Sequence, residues 1–155
     1  MKEKETTLLI PRKQNKILLA RKKRGFGLGK LNGIGGKLEK GETPEEAMIR
    51  ETEEEISIIP RKYEKIGVIY FSEFQEDKPI KVKMHLYVTT EWENIPQESE
   101  EVIPRWFKID NLPKDEMFED INIWLPYLLE KKITGYFSYD KNWNLMNQTI
   151  TVEKE

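Results

Sequence analysis

Cysteine is absent from the 155 residues and histidine occurs once. Without cysteine there is no disulfide framework, thiol nucleophile or cysteine-ligated zinc, which fits a reducing compartment. With one histidine, a Ser-His-Asp hydrolase would have to use His85, and no Gly-x-Ser-x-Gly elbow accompanies it. That ring lies in the run KVKMHLYV, where packing or a hydrogen bond accounts for it. Long apolar runs are also missing: nothing approaches the roughly 18 residues of a membrane span. The opening MKEKETTLLIP is charged, and its apolar part is too short for a signal segment. We therefore expect a cytoplasmic protein with no membrane association. An excess of charge of either sign is lacking, the formal net charge being −2, so nothing global attracts nucleic acid and no stable nucleic-acid partner is expected. With no repeat, linker or low-complexity tract, residues 1–155 are expected to form a single domain, working as a monomer.

What is present is a mixed pattern with 37% hydrophobic and 35% charged residues. Strands are expected at 6–10 and 16–20, then at 65–71, 81–89 and 105–109, and a closing hairpin turns around 141–144. Seven of the nine glycines fall within residues 21–42, predicting a loop system or very short strands that let the backbone approach something closely. TPEEAMIRETEEEIS then starts as a helix should, with Thr43 at the N-cap, Pro44 at the first position and Glu46 three beyond the cap. A second helix is expected to start near Asn122 and run through IWLPYLLEKK, with Pro126 early in it. The alternation of elements predicts one α/β domain.

The first helix carries an unusual ridge. Glu51, Glu54 and Glu55 fall within an arc of about 100°, beside a more apolar stripe of Met48, Ile49, Thr52 and Ile56. Glu53 lies on the opposite, solvent side with Glu46 and Arg50, and Arg50 can pair there with Glu46 and Glu54. Like charges three and four apart repel by a few tenths of a kcal/mol per pair. A charge run is usually only a solvated face. This one, however, borders the core stripe and follows a glycine loop, so a hard cation such as Mg²⁺ or Mn²⁺ is the partner its oxygens suit. Magnesium in turn favours substrate phosphates as further ligands.

From Gly36 to Ile58 the chain reads GKLEKGETPEEAMIRETEEEISI, which resembles the Nudix box. Gly36, Glu42, Arg50, Glu51, Glu54 and Glu55 occupy the specified positions; six residues at about 7% usage each would meet by chance about once in ten million starting points. Thr52 stands where a larger apolar residue is usual, and Ser57 where the box has glycine, predicting a slightly altered helix end. The segments KKRGFGLGKLNGIGGK, PRWFKIDNLP and IWLPYLLEKKITGYF extend the resemblance to the MutT branch of the family, covering most of the chain. The resemblance implies an α/β/α sandwich around a mixed central sheet. It also implies Mg²⁺-dependent hydrolysis of an oxidised purine nucleoside triphosphate, of the 8-oxo-dGTP or 2-oxo-dATP type, to the monophosphate and pyrophosphate, with Mn²⁺ able to substitute.

By the same resemblance Glu51, Glu54 and Glu55, with the carbonyl of Gly35 or Gly36, would bind metal, and Glu51 or Glu54 could act catalytically. Glu101, in ESEEVIPRW, matches a further acidic residue, a ligand or general base. Lys37 and Lys22, the latter followed by Lys23 and Arg24, are candidate triphosphate contacts. The family reads its purine with an asparagine, matched by Asn32, and with a Trp-x-Asp-Asp segment. Here that segment is FEDI: Phe118 replaces the tryptophan, Asp120 matches the first aspartate, and Ile121 replaces the second, with Glu119 one position off. Phe118 can still stack on a base, but losing a carboxyl predicts a narrower or shifted base preference. Thr7, Phe26 and Phe71 match pocket positions and could equally be core. Trp92, Trp106, Trp124 and Trp143 are read as core or rim aromatics. Two further readings stand beside this one. The first is a hydrolase of another nucleotide derivative, such as an RNA 5′ end, ADP-ribose or a dinucleoside polyphosphate. The second is a nucleotide-binding module without turnover, against which the intact carboxylate ridge argues.

Overall fold

The structure, a computed structural model, describes residues 2–128 and 132–153. In chain order the elements are β1 (Lys2–Lys13), β2 (Lys16–Lys22), β3 (Leu31–Asn32), β4 (Ile34–Lys37), α1 (Pro44–Ile56), β5 (Ile59–Gln75), β6 (Lys78–Glu93), β7 (Val102–Lys108), α2 (Glu119–Trp124), β8 (Ile133–Tyr139) and β9 (Leu145–Val152). Short 3₁₀ turns at Lys114–Glu116 and Leu125–Tyr127 flank α2. The described strands form one mixed sheet in the order β3-β2-β1-β6-β5-β8-β9, with β4 paired to β1 and β7 to β2. The β1–β6 and β5–β8 pairs are parallel, and the others antiparallel.

Alternation along β1 separates the layers. Leu8 and Ile10 pack in one core with Ile121 and Trp124 of α2, whereas Leu9 packs with Met48 of α1 and Tyr87 of β6. Successive side chains of a strand point to opposite faces, so α1 and α2 cover opposite sides of the sheet. This is the expected sandwich, with a short second helical layer. Fully buried side chains such as Trp124 and Met48 each contribute roughly 1.5–3 kcal/mol by leaving water. Among the described residues no helix is long and apolar enough to cross a membrane.

Several elements differ from expectation. The second helix starts earlier, at Glu119, and ends at Trp124. Pro126, with no N–H to give, falls in the 3₁₀ turn that follows, where Leu128 N–H bonds to the Leu125 carbonyl. The expected continuation through residues 129–131 lies outside the described residues. The strands expected at 65–71 and 81–89 are the middles of one long hairpin, β5–β6, whose two-residue turn puts Glu76 and Asp77 at φ 52° and 61°. Positive φ at both positions is the twist-matched hairpin turn, normally signalled by Asn-Gly, and "QEDK" gives no such signal. The first strand also begins earlier, because charged residues 2–5 pair with β6 and extend it.

The end of α1 is not altered as expected. Ser57 adopts φ 65° and ψ 15°, the left-handed conformation that the usual glycine would supply, and its N–H bonds to the Glu53 carbonyl. The geometry is kept at a conformational cost to serine. Ser57→Gly should therefore stabilise the protein by about 0.5–1 kcal/mol, net of the greater chain freedom of glycine when unfolded, raising Tm by about 1–4 °C in a thermal melt.

Candidate active site

The capping box aims α1. Thr43 Oγ1 accepts from Glu46 N at 3.1 Å, and Glu46 Oε1 accepts from Thr43 N at 3.0 Å. Ala47, Met48, Thr52 and Ile56 are turned inward. Thr52 fits its apolar position because its hydroxyl donates to the Met48 carbonyl at 2.7 Å. With that face buried, Glu53 is exposed and the Glu51–Glu54–Glu55 ridge runs along the core's edge.

Arg50 is a hub and not a solvent-face residue. Its Nε and Nη2 grip both oxygens of Glu42 at 2.7 and 2.9 Å, and Nη2 also reaches the Lys37 carbonyl at 3.2 Å. Its Nη1 bonds Glu51 at 2.9 Å and Glu54 at 3.2 Å. The expected partner Glu46 is instead engaged in the cap, so only the Glu54 half of that pairing forms. The two-pronged grip holds the Glu42 carboxyl down at about 2 and raises the Arg50 guanidinium.

The carboxylates of the ridge do not converge as expected. Among the described residues no group of three or more acidic or histidine side chains stands close enough to hold a metal ion, because Arg50 draws Glu51 and Glu54 to itself. The surroundings nevertheless fit a hard cation. Glu51 packs against Gly36 so closely that a Cβ there would lie 2.6 Å from its carboxyl carbon. At Gly35 the constraint is different: a Cβ would overlap the Thr7 backbone oxygen at 1.8 Å. Burial, then the charge of Glu51, pushes the Glu55 carboxyl up to about 7, with Lys22 opposing. Glu55 is thus an anion short of positive charge, among hard oxygen donors beside a close-approaching backbone.

A cavity of about 270 Å³ opens beside this ridge, close to the lower end of the roughly 300–1,000 Å³ usual for small-molecule sites. Glu55, Gly35, Gly36 and Lys22 line one part of it. Lys22 Nζ lies 3.6 Å from Glu101, whose Oε1 accepts from Arg24 Nε at 2.8 Å. That pairing holds the Glu101 carboxyl below its usual range, so it is a poor proton acceptor in this arrangement. Lys37 is exposed and absent from the wall; its carbonyl accepts from Arg50. Lys23 is likewise turned away, to Glu98 at 2.6 Å.

The rest of the wall brings together Thr7, Phe26, Asn32, Phe71, Phe118 and Asp120. The Thr7 hydroxyl is buried and has no hydrogen-bond partner among the described residues. Asn32 Oδ1 accepts from Gly33 N at 2.8 Å. Phe71 is both core and wall, stacking on Phe137 with ring centroids 5.9 Å apart. Phe26 and Phe118 lie nearly parallel, with centroids 5.8 Å apart. Asp120 is buried and held by two donors, Tyr139 Oη at 2.5 Å and Trp124 Nε1 at 2.8 Å. Burial raises its carboxyl against those two bonds, and raises the Tyr139 phenol as well.

Four residues of this region escaped the sequence reading. Trp124 and Tyr139 orient Asp120. Trp143, read as core or rim, packs on Phe26 and Phe118 with centroids 4.7 and 5.7 Å away. It is swung there by a tight turn in which Asp140 Oδ1 accepts from Asn142 N and Asn144 N while Trp143 takes φ 60°. Glu73 lines the cavity too, and its spacing of two from Phe71 is the one signal that could have found it.

A NUDIX domain model matches residues 2–128. The chain is 41% identical over 134 residues to the oxidized purine nucleoside triphosphate hydrolase of Danio rerio, covering 86% of this chain and 85% of that one. To the mouse (Mus musculus) protein of the same name it is 35% identical over 145 residues, covering 93% and 92%. Among solved structures, the MutT protein from Bacillus halodurans superposes with a TM-score of 0.83 at 25% identity, covering 95% of this chain and 97% of that one.

Proposed function

The chain belongs to the Nudix family, and from that premise we propose that it hydrolyses oxidised purine nucleoside triphosphates to the monophosphate and pyrophosphate, removing them from the nucleotide pool. The observation that carries this reading is the continuity of one cavity from Glu55 and Gly36 at the acidic ridge to Phe118 and Asp120 at the aromatic end. A base held at the aromatic end would direct its triphosphate toward the ridge. Relatives bearing the hydrolase name at 35–41% identity over most of the chain support it.

Nudix hydrolases use divalent metal ions; here the oxygen donors favour Mg²⁺, with Mn²⁺ as substitute. Glu51, Glu54 and Glu55, with the carbonyl of Gly35 or Gly36, would hold it, and it would supply charge neutralisation and an acidified water. Arg50 positions Glu51 and Glu54 on the ridge. Lys22, which lines the cavity and lies 3.6 Å from Glu101, is a cation placed to turn to the triphosphate, leaving Glu101 able to join the acidic group. Phe26, Phe118 and Trp143 supply stacking surface. Asn32 and Asp120 supply directed donors and acceptors for a purine edge. Residues 1–155 act as one catalytic domain, as a monomer, in the cytoplasm.

A kinetic panel tests the reading: 8-oxo-dGTP, 2-oxo-dATP, dGTP, dATP, an RNA 5′-triphosphate and ADP-ribose, each with Mg²⁺. The oxidised deoxynucleotides should give kcat/KM at least about tenfold above their ordinary counterparts. Equal values would remove the sanitising role, and a preference for ADP-ribose or the RNA end would replace it.

A further inference from the structure

Alternation on β5 places Phe71, Glu73 and Gln75 on one face, and all three line the cavity. Phe71 packs against the core that holds Ile121 and Trp124, so Glu73 stands on the side of the sheet that α2 covers. A half-buried glutamate in a mostly apolar wall needs a reason. Its hydrogen bond is a long one, from Gln75 Nε2 at 3.5 Å. The charged groups acting on it are Asp120 of α2 and, in the opposite sense, Lys4 of β1; Lys22, Lys30 and Glu55 stand elsewhere in the same wall.

We propose that Glu73 is a specificity-determining residue, which with Asp120 forms an acid pair sharing one proton across the cavity and reading the edge of an oxidised purine. Asp120 is built to accept, since Tyr139 and Trp124 both donate to it. Two ionised carboxylates in one poorly solvated cavity repel, and a single shared proton relieves this while leaving one donor and one acceptor. Burial, then the neighbouring Asp120 charge, raises the Glu73 carboxyl to about 7, which places that proton in the working pH range. Oxidation of a purine at C8 or C2 adds a carbonyl and turns an adjacent ring nitrogen from acceptor to N–H donor. A donor beside an acceptor matches that change. Glu73 thereby supplies, from a strand, the carboxyl that Ile121 does not supply from α2. This inference rests on the function proposed above.

The test measures kcat and KM for 8-oxo-dGTP, 2-oxo-dATP, dGTP and dATP from pH 6 to 9 in the wild type, Glu73→Gln, Glu73→Leu and, as control, the exposed Glu64→Gln. In the wild type, KM for the oxidised substrates should rise as pH passes 7 and the shared proton is lost. Glu73→Gln, whose amide donates at every pH, should flatten that rise. Glu73→Leu should raise KM for the oxidised substrates about tenfold or more and move kcat less. Glu64→Gln should follow the wild type. Thermal melts verify folding, and the isosteric Glu73→Gln decides the matter if Glu73→Leu does not fold. An oxidised-base preference and pH profile that survive substitution of Glu73 would overturn this inference alone; a wild type without that preference would overturn the proposed function as well.

Discussion

Replacing Glu54 with Gln lowers metal-dependent turnover by about 10³-fold or more while Tm stays within about 2 °C of the wild type. The loss follows from charge. A hard cation that neutralises developing negative charge contributes several kcal/mol to the transition state, each 1.36 kcal/mol being tenfold in rate, and a neutral amide is a far weaker ligand. The fold is spared because the Glu54 side chain is 59% exposed and its ion pair is with Arg50, which keeps Glu42 and Glu51. Initial rates with and without Mg²⁺, beside a thermal melt, check both halves. Full activity in this variant would sink the assignment of the ridge.

Arg50→Ala affects both stability and activity. It removes the charge-assisted bonds to Glu42, Glu51 and Glu54 and the bond to the Lys37 carbonyl, which tie the glycine loop to the helix. Allowing for solvent screening, the loss is about 2 kcal/mol, or a fall in Tm of about 4–8 °C. Turnover drops about 10–100-fold as Glu51 and Glu54 lose their support. The effect also has a pH signature. The Glu42 carboxyl is depressed to about 2, so its pairing contributes above the ordinary carboxylate range and is lost as pH falls toward 2. The stability gap between wild type and Arg50→Ala should therefore narrow between about pH 5 and 2, read from acid unfolding curves. A gap that stays constant through that window would mean Glu42 is not the partner that matters.

The helix and its ridge were legible because both are one-dimensional patterns: a cap, a periodic apolar stripe and carboxylates at helical spacing. The cavity's aromatic end was legible where the family resemblance reached it, at Phe26, Asn32, Phe71, Phe118 and Asp120, all of which line the wall. Trp143 and Tyr139 come from a hairpin far along the chain and reach the wall through sheet pairing, which no local pattern encodes. The β5–β6 turn was missed because Glu76 and Asp77 adopt positive φ without the residues that advertise it. The non-convergence of Glu51, Glu54 and Glu55 had a similar cause: spacing gives the face of a helix, but the rotamers are decided by the nearest cation, Arg50.

The two adjoining glycines of β4 answer to separate constraints. Gly35 is excluded from bearing a side chain by the Thr7 backbone in the neighbouring strand, whereas Gly36 is excluded by the Glu51 carboxyl. Position 35 is accordingly constrained for as long as the sheet persists, and position 36 for as long as the Glu51 carboxyl lies against it. A variant without the Glu51 side chain should tolerate a side chain at position 36 while still requiring glycine at position 35.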